Sequence, residues 1–311
     1  MQTTFGERLA HSGDRSLIVT AAPPRWIAEG RSRPRVVVLA APNRPRVASE
    51  LAGIVRLLEA NADVVEVDTQ FAYEFSECDS DLVVVLGGDG SILQSARQMG
   101  RNQRPVLGIN LGRLGFLAAI PPEQLQQVWA NVCDGSYAIT SHLMLQCSVL
   151  RDGELLHSIM GLNEAAVLGG PPYSMMYIDL YIDSQLATTY ACDGLIISTP
   201  IGSTAHNLSA GGPILRRNLQ AFVIVPISPH TLTMRPVVDT SERLFELRMQ
   251  SEHPTASVVV DGRVVCQFKQ DLTVRITKSE HQFQLISVPG HDDYEALRTK
   301  LGWSGKPRPG E

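Results

Sequence analysis

Residues 83–93 read VVVLGGDGSIL, from Val83 to Leu93. Large apolar residues run into two glycines, Asp89, a third glycine and Ser91, and the chain turns apolar again at Ile92. The apolar run predicts a strand buried on both faces, and Ser91-Ile92-Leu93 opens a helix. A glycine turn between strand and helix suits phosphate groups, because glycine admits close backbone approach and the helix N-terminus favours negative charge. Gly87, Gly88, Gly90 and Ser91 are therefore read as a phosphate loop. Asp89 sets a carboxylate where anions are expected. The plain alternative is a tight turn with Asp89 as its cap. The stretch is not a P-loop, since no lysine follows in the GxxxxGK[ST] spacing, and it is not the dinucleotide GxGxxG fingerprint.

Working outward, Arg35–Leu39 reads as another buried strand. Val47, Leu51, Ile54, Val55 and Leu58 then fall on one helical face. Val64–Val67, Leu82–Leu86 and Pro105–Asn110 give further strands. Pro121-Pro122-Glu123 followed by Leu125, Val128 and Trp129 predicts a helix with proline in its first turn. Strands alternating with helices imply a parallel sheet covered on both faces. Residues 1–34 carry little periodicity and read as a partly ordered extension. The α/β domain spans 35–135.

Beyond residue 135 the pattern changes to short β-rich runs at 143–150, 155–159, 177–182, 222–225, 257–260, 272–276 and 283–288. Asp152-Gly153, Asp183-Ser184 and Asp261-Gly262 sit between such runs as hairpin turns. Residues 136–290 thus form a mostly β, sandwich-like domain, and 291–311 a terminal segment and tail.

At 311 residues, 44% apolar and 19% charged, the chain is long enough and apolar enough for two cored domains. A net charge of −5 removes the broad basic character of nucleic-acid binders. No apolar stretch reaches the ~18 residues of a membrane span, and the first residues are charged where a secretory signal is apolar. Five scattered cysteines without a CxxC pair fit reduced cytosolic thiols. The expectation is a soluble, cytoplasmic protein with no nucleic-acid or membrane partner. The histidines form no zinc motif, and no residue is assigned as a metal ligand.

Three more segments stand out. Gly108–Leu117 reads GINLGRLGFL, a second glycine-spaced loop after a strand. Two such loops at the carboxyl ends of strands in one α/β domain mark a ligand crevice. Asn163-Glu164, in GLNEAAV, offers donors and acceptors suited to ribose hydroxyls or an amide. The longest is Asp193–Pro213, DGLIISTPIGSTAHNLSAGGP, whose small and hydroxyl residues expose amides and hydroxyls to a polar ligand.

LGGDGS, GINLGRLGFL, LNEA and DGLIISTPIGSTAHNLSAGGPI, in this order, resemble the NAD kinase family. PISPHTLTMRP at 226–236 and TKLGWS at 299–304 extend the likeness, which runs from about Val36 to Trp303. The resemblance implies an NAD-kinase/diacylglycerol-kinase-like fold, with NAD in the crevice between an α/β and a β-rich domain. It implies a phosphotransferase carrying the γ-phosphoryl of ATP, or phosphate from polyphosphate, to the 2′-hydroxyl of the adenosine ribose of NAD. A divalent metal, magnesium by preference, and a homo-oligomer go with it. By the same likeness Asp89 orients that hydroxyl and takes its proton, which places the carboxylate with the acceptor rather than the donor. Asp89, Gly90, Asn163, Glu164, Asp193, the run Thr204, Ala205, His206, Asn207, Leu208, Ser209, and Arg263 would contact NAD. The chain departs from the family at His206-Asn207, where many members have Tyr-Ser. It also departs at Ser174, often basic, and at Arg263, often glutamine. The alternatives are a lipid or other small-molecule kinase sharing the GGDG loop, and a non-catalytic NAD-binding regulator.

Overall fold

The computed structural model describes residues 24–41, 44–77, 79–112, 115–118, 120–171, 174–231, 233–287 and 293–302. Residues 1–23, Cys78, Arg113 and Leu114 of the second glycine loop, Leu232, Trp303, Ser304 and the tail lie outside them. The chain divides into two compact units, residues 1–141 with 284–311, and 142–283.

In the first unit β1 (Arg35–Ala40), β2 (Asp63–Asp68), β3 (Leu82–Gly87) and β4 (Val106–Asn110) form a parallel sheet in the order β2-β1-β3-β4. Strands β3 and β4 are buried at every residue, which is why they read as continuous apolar runs rather than alternating ones. Helix α1 (Pro45–Glu59) starts with proline in its first turn and buries Val47, Ile54 and Leu58, the spacing of one helical face. Helix α2 (Asp89–Met99) buries Ile92, Ala96 and Met99 and stops at Gly100, whose positive φ of 53° ends the helix. Ile92 fixes α2 against the sheet. Its Cδ1 would lie 2.7 Å from a β-carbon on Gly108, and Ala118 Cα 3.2 Å from it, so the bare backbone at 108 leaves room for the Ile92 side chain. Losing Ile92 to alanine would cost about 2–5 kcal/mol. Helix α3 (Leu125–Cys133) adds Leu125, Val128 and Trp129 to the core that holds Val47, Ile54 and Leu58 of α1.

Part of the region read as an extension is packed. Trp26, in a helical turn at Arg25–Ala28, is buried and stacks on Tyr137 with ring centroids 6.1 Å apart. Arg31 donates to both oxygens of Asp81, at 2.6 and 2.7 Å.

The second unit holds two sheets. One contains β5 (Ala138–Arg151), β6 (Glu154–Gly161), β8 (Met176–Ile182), β9 (Gln185–Cys192), β13 (Phe245–Met249) and β16 (Leu272–Ser287), with β5 and β16 running on into the first unit. The other has the order β12-β11-β10-β7-β14-β15 and is antiparallel throughout. Its strands are β7 (Glu164–Leu168), β10 (Gly194–Ser198), β11 (Ala221–Ile227), β12 (Val237–Thr240), β14 (Ser257–Val260) and β15 (Arg263–Gln267). Side chains from both sheets share one core, where Phe222 of β11 meets Phe245 of β13 edge to face at 5.9 Å.

The three expected hairpin turns are present, with positive φ at both residues of Asp152-Gly153, Asp183-Ser184 and Asp261-Gly262. The two runs at 272–276 and 283–288 are one strand through Ser287. The polar stretch Thr277–Gln282 that separates them in sequence is still backbone-paired structure.

Candidate active site

In the first unit the site grows from the end of β3. Gly87 closes the strand, Gly88 is extended at the helix N-cap, and Asp89 is the first residue of α2. An acidic residue in a first turn suits the partial positive charge there. The buried Ser91 fills the space a side chain on Gly87 would need, with its Cβ 2.8 Å from that position. Gly90 is exposed, and a β-carbon there would meet nothing within 4 Å.

Asp89 does not cap its own helix. Its carboxylate reaches the second glycine loop, where Oδ2 accepts the amide of Phe116 at 2.7 Å. Oδ1 accepts those of Leu117 at 2.9 Å and Ala118 at 3.1 Å. The base of that loop is closed by Asn110 N–H donating to Ile120 O at 2.7 Å and Leu111 N–H to Gly87 O at 3.0 Å. The two loops picked out by their glycines are therefore one structure, joined through the carboxylate. Gly115 makes room for it, since a β-carbon there would lie 2.9 Å from Asp89 Cγ.

Two cations that sequence reading did not assign lie here. Arg44 Nη1 is 3.3 Å from the position of a β-carbon on Gly88 and 3.6 Å from that on Gly112, so an exposed guanidinium borders both loops. Lys300 Nζ is 3.7 Å from Asp89 Oδ2. Neither has a spacing in the sequence that ties it to the loops. Among the described residues no group of three or more His, Cys, Asp or Glu side chains could hold a metal ion.

In the second unit the predicted Asn163 and Glu164 stand where β7 begins. A third carboxylate, Asp261, organises them. Its Oδ2 accepts the amide of Leu162 at 2.8 Å, and its Oδ1 those of Asn163 at 2.7 Å and Glu164 at 3.1 Å. Sequence reading took Asp261 only as a turn residue. It is one, with φ of 46°, and the turn aims its side chain at the loop. Gly161 permits the approach, because a β-carbon there would lie 3.3 Å from Asp261 Oδ1 and 2.8 Å from Val260 Cγ1.

Glu164 is 7% exposed, and its Oε2 has no hydrogen-bond partner. Burial, and then the neighbouring Asp261 carboxylate, push its carboxyl up to about 8. Near neutral pH it is largely a protonated acid that can donate as well as accept.

The segment after β10 packs onto this loop. Thr199 N–H donates to Asn163 O at 2.8 Å, and Thr199 Oγ1 to Leu162 O at 2.6 Å. A β-carbon on Gly202 would overlap the Asn163 carbonyl. Ser198, Thr199, Ser203 and Asn207 are fully buried. Several of the hydroxyls expected to face a ligand thus serve the fold. Asn207 donates through Nδ2 to Ser203 O at 2.8 Å and Pro213 O at 3.0 Å, while its Oδ1 is buried without a partner. Thr204, Ala205, His206 and Leu208 are half-buried, and Ser209 is exposed. Arg263 is exposed at the start of β15, two residues past Asp261. Asp193 is elsewhere. It precedes β10 at Gly194, which pairs with Leu168, whereas Glu164 pairs with Ser198 at the other end. Five residues of strand put Asp193 about 17 Å from that end. Its carboxylate lies 3.5 Å from His230 Nε2.

Residues 36–137 match the ATP-NAD kinase N-terminal domain and residues 162–288 the ATP-NAD kinase C-terminal domain. The chain is 54% identical to an NAD kinase of Rhodopirellula baltica over 281 residues, covering 90% of each chain. It is 41% identical to an NAD kinase of Alcanivorax borkumensis over 227 residues, 73% of this chain and 76% of that one. Among solved structures, yeast NADH kinase complexed with NADH superposes with a TM-score of 0.80 at 21% identity, covering 90% of each chain. An NAD kinase from Archaeoglobus fulgidus in complex with ATP gives 0.69 at 27% identity, covering 86% of this chain and 97% of that one.

Proposed function

The chain belongs to the NAD kinase family, and from that premise we propose how its residues divide the transfer of phosphate from ATP to NAD. That relationship decides against the lipid-kinase and regulator alternatives. NAD and ATP are its substrates, and phosphorylation of the adenosine-ribose 2′-hydroxyl yields NADP.

The observation that carries the assignment of roles is the three-amide clamp on Asp89. A carboxylate has about four acceptor positions. The amides of Phe116, Leu117 and Ala118 take three, which leaves one for a hydroxyl donor, and the side chain keeps 32% of its surface open. Phosphoryl transfer asks the protein chiefly for positioning and charge stabilisation. A carboxylate locked in this way orients the ribose hydroxyl and accepts its proton late in the transfer. Gly87, Gly88, Gly90 and Ser91 form the turn against which donor phosphates lie, with Arg44 at its border.

Asn163 and Glu164 hold NAD in this reading. The protonated Glu164 supplies a donor and an acceptor to a ribose or amide edge, and its partnerless Oε2 supports a ligand contact there. The half-buried His206 offers a flat ring.

The side chains form no cage for a resident divalent ion among the described residues. We assign magnesium to the substrate instead, arriving on the phosphates of ATP, as that ion commonly does. A homo-oligomer is proposed as well. It is supported by Val237 and Val238 on edge strand β12 and Val264 on edge strand β15, which are 46%, 48% and 69% exposed. No helix among the described residues is long and apolar enough to cross a membrane. The proposed cytoplasmic setting rests on the dispersed thiols. Burial pushes Cys192 up to about 11 and Cys147 up to about 12, so both stay protonated and inert.

The test is direct. Purified protein with NAD, ATP and Mg²⁺ should form NADP, and excess chelator should abolish it. No NADP with any divalent ion would overturn the reading, and full activity in chelator would overturn the role given to the metal.

A further inference from the structure

Phosphate loops usually carry a cation. Gly87 to Ser91 carry none and place Asp89 among the glycines instead. A polyphosphate approaching that carboxylate meets like charge, which costs more as water leaves the site. Something must offset it.

Lys300 comes from the other end of the chain, on helix α4 (Asp293–Leu301). Its Nζ stands 3.7 Å from Asp89 Oδ2 and 4.0 Å from the centroid of the Phe116 ring. The two contacts are linked, because the amide of Phe116 donates to that same Oδ2 at 2.7 Å. A separation of 3.7 Å exceeds hydrogen-bond length, so the attraction to Asp89 is purely Coulombic. The ring face holds the ammonium in place by its quadrupole and satisfies none of its three N–H donors. The side chain is 26% exposed. A cation thus stands beside the carboxylate, and among the described residues it donates no hydrogen bond.

We propose that Lys300 is a phosphate-binding residue of the donor site, the counter-charge that admits a polyphosphate next to Asp89. The inference rests on the phosphoryl-transfer reading above. Before the donor arrives, the ammonium balances Asp89. With it, the N–H donors turn to a phosphate oxygen while Phe116 keeps the amine within reach of both. No bond to Lys300 is made or broken in the transfer.

The experiment compares full-length wild type with Lys300→Gln, Lys300→Arg and Phe116→Leu. Binding of tripolyphosphate and of ATP is measured by calorimetry without NAD, and KM and kcat by steady-state NADP formation, with thermal melts alongside. A charge-assisted phosphate contact predicts that Lys300→Gln weakens tripolyphosphate binding and raises KM for ATP about ten- to hundredfold. Its salt dependence should flatten, while KM for NAD stays within about threefold. Lys300→Arg should recover most of the loss, and Phe116→Leu should show a smaller one. If Lys300→Gln unfolds, Lys300→Met, which keeps the apolar stem, carries the same comparison. An active wild type beside a folded Lys300→Gln that binds tripolyphosphate equally well overturns the role of Lys300 and leaves the kinase reading standing. Equal losses for NAD and ATP that arginine does not rescue also overturn it, because they mark a merely structural lysine. A wild type that makes no NADP overturns both.

Discussion

Gly115 and Asp89 compete for one small volume: a β-carbon on Gly115 would lie 2.9 Å from Asp89 Cγ and nearer still to Oδ1. Alanine at 115 must therefore displace either the carboxylate or the loop it holds. Overpacking of this kind costs about 1–3 kcal/mol. We expect Gly115→Ala to lower both melting temperature and kcat. Gly90→Ala, with nothing within 4 Å of the added carbon, should not lower the melting temperature. Indistinguishable melts for the two variants would contradict the packing described.

Asp261 does for the second unit what Asp89 does for the first, holding three successive amides at 162–164. Asparagine tolerates the left-handed backbone there and keeps one acceptor oxygen, but it loses the charge and turns an NH₂ toward a donor. Asp261→Asn should cost about 1–3 kcal/mol of stability and raise KM for NAD about tenfold, with kcat less affected. The check is steady-state kinetics with NAD varied. An unchanged KM would remove Asp261 from the positioning of Asn163 and Glu164.

Burial raises the Glu164 carboxyl from 4.5 to about 8. A group raised on folding contributes stability that is complete below its unfolded pKa and is lost as pH rises through the folded one. Glu164 should therefore destabilise the protein progressively from about pH 4.5 to 8. His142 runs the other way. It is buried and held near 4 by desolvation first and then by Arg217, so stability falls as pH drops below 6.5. Between pH 6.5 and 8 only Glu164 of the pair still acts. Melts over that window should fall for wild type and stay flatter for Glu164→Gln, which should be the more stable protein at pH 8. Parallel curves would contradict the buried, partnerless acid.

Much of this was legible in the sequence because it is periodic or punctuated. Val36 to Leu39 and Leu82 to Leu86 are unbroken apolar runs since both faces of their strands are covered, and Asp-Gly or Asp-Ser pairs mark the hairpins by their backbone demand. β7 and β10 were less visible. Glu164–Leu168 and Gly194–Ser198 lie inside segments whose small and polar residues point to ligand binding, yet both strands are buried almost throughout. The Ser198 and Thr199 hydroxyls bond backbone carbonyls, a role that composition cannot separate from ligand contact. Asp261 is 97–99 residues from the amides it holds, and a clamp over that distance leaves no local pattern. Lys300 is hidden for the same reason. Its place beside Asp89 depends on where the terminal helix packs.

The central claim is that Asp89 orients and deprotonates the hydroxyl that receives phosphate, and Asp89→Asn tests it most directly. Asparagine keeps the size of the side chain but removes the charge, the proton acceptor and part of the amide clamp. Gly115→Ala disturbs the same clamp while leaving the carboxylate, so comparing the two separates chemistry from packing. The measurement is steady-state NADP formation from NAD, ATP and Mg²⁺ by wild type and both variants, with melts confirming that each is folded. General-base assistance is worth typically ~10²–10⁴-fold, and its share here is reduced by a loose transition state in which the hydroxyl proton leaves late. We predict that kcat of Asp89→Asn falls about two to three orders of magnitude, well beyond Gly115→Ala, with KM for NAD changing far less. A folded Asp89→Asn that keeps more than about a tenth of wild-type kcat would contradict the account and leave Asp89 as the residue that ties two loops together.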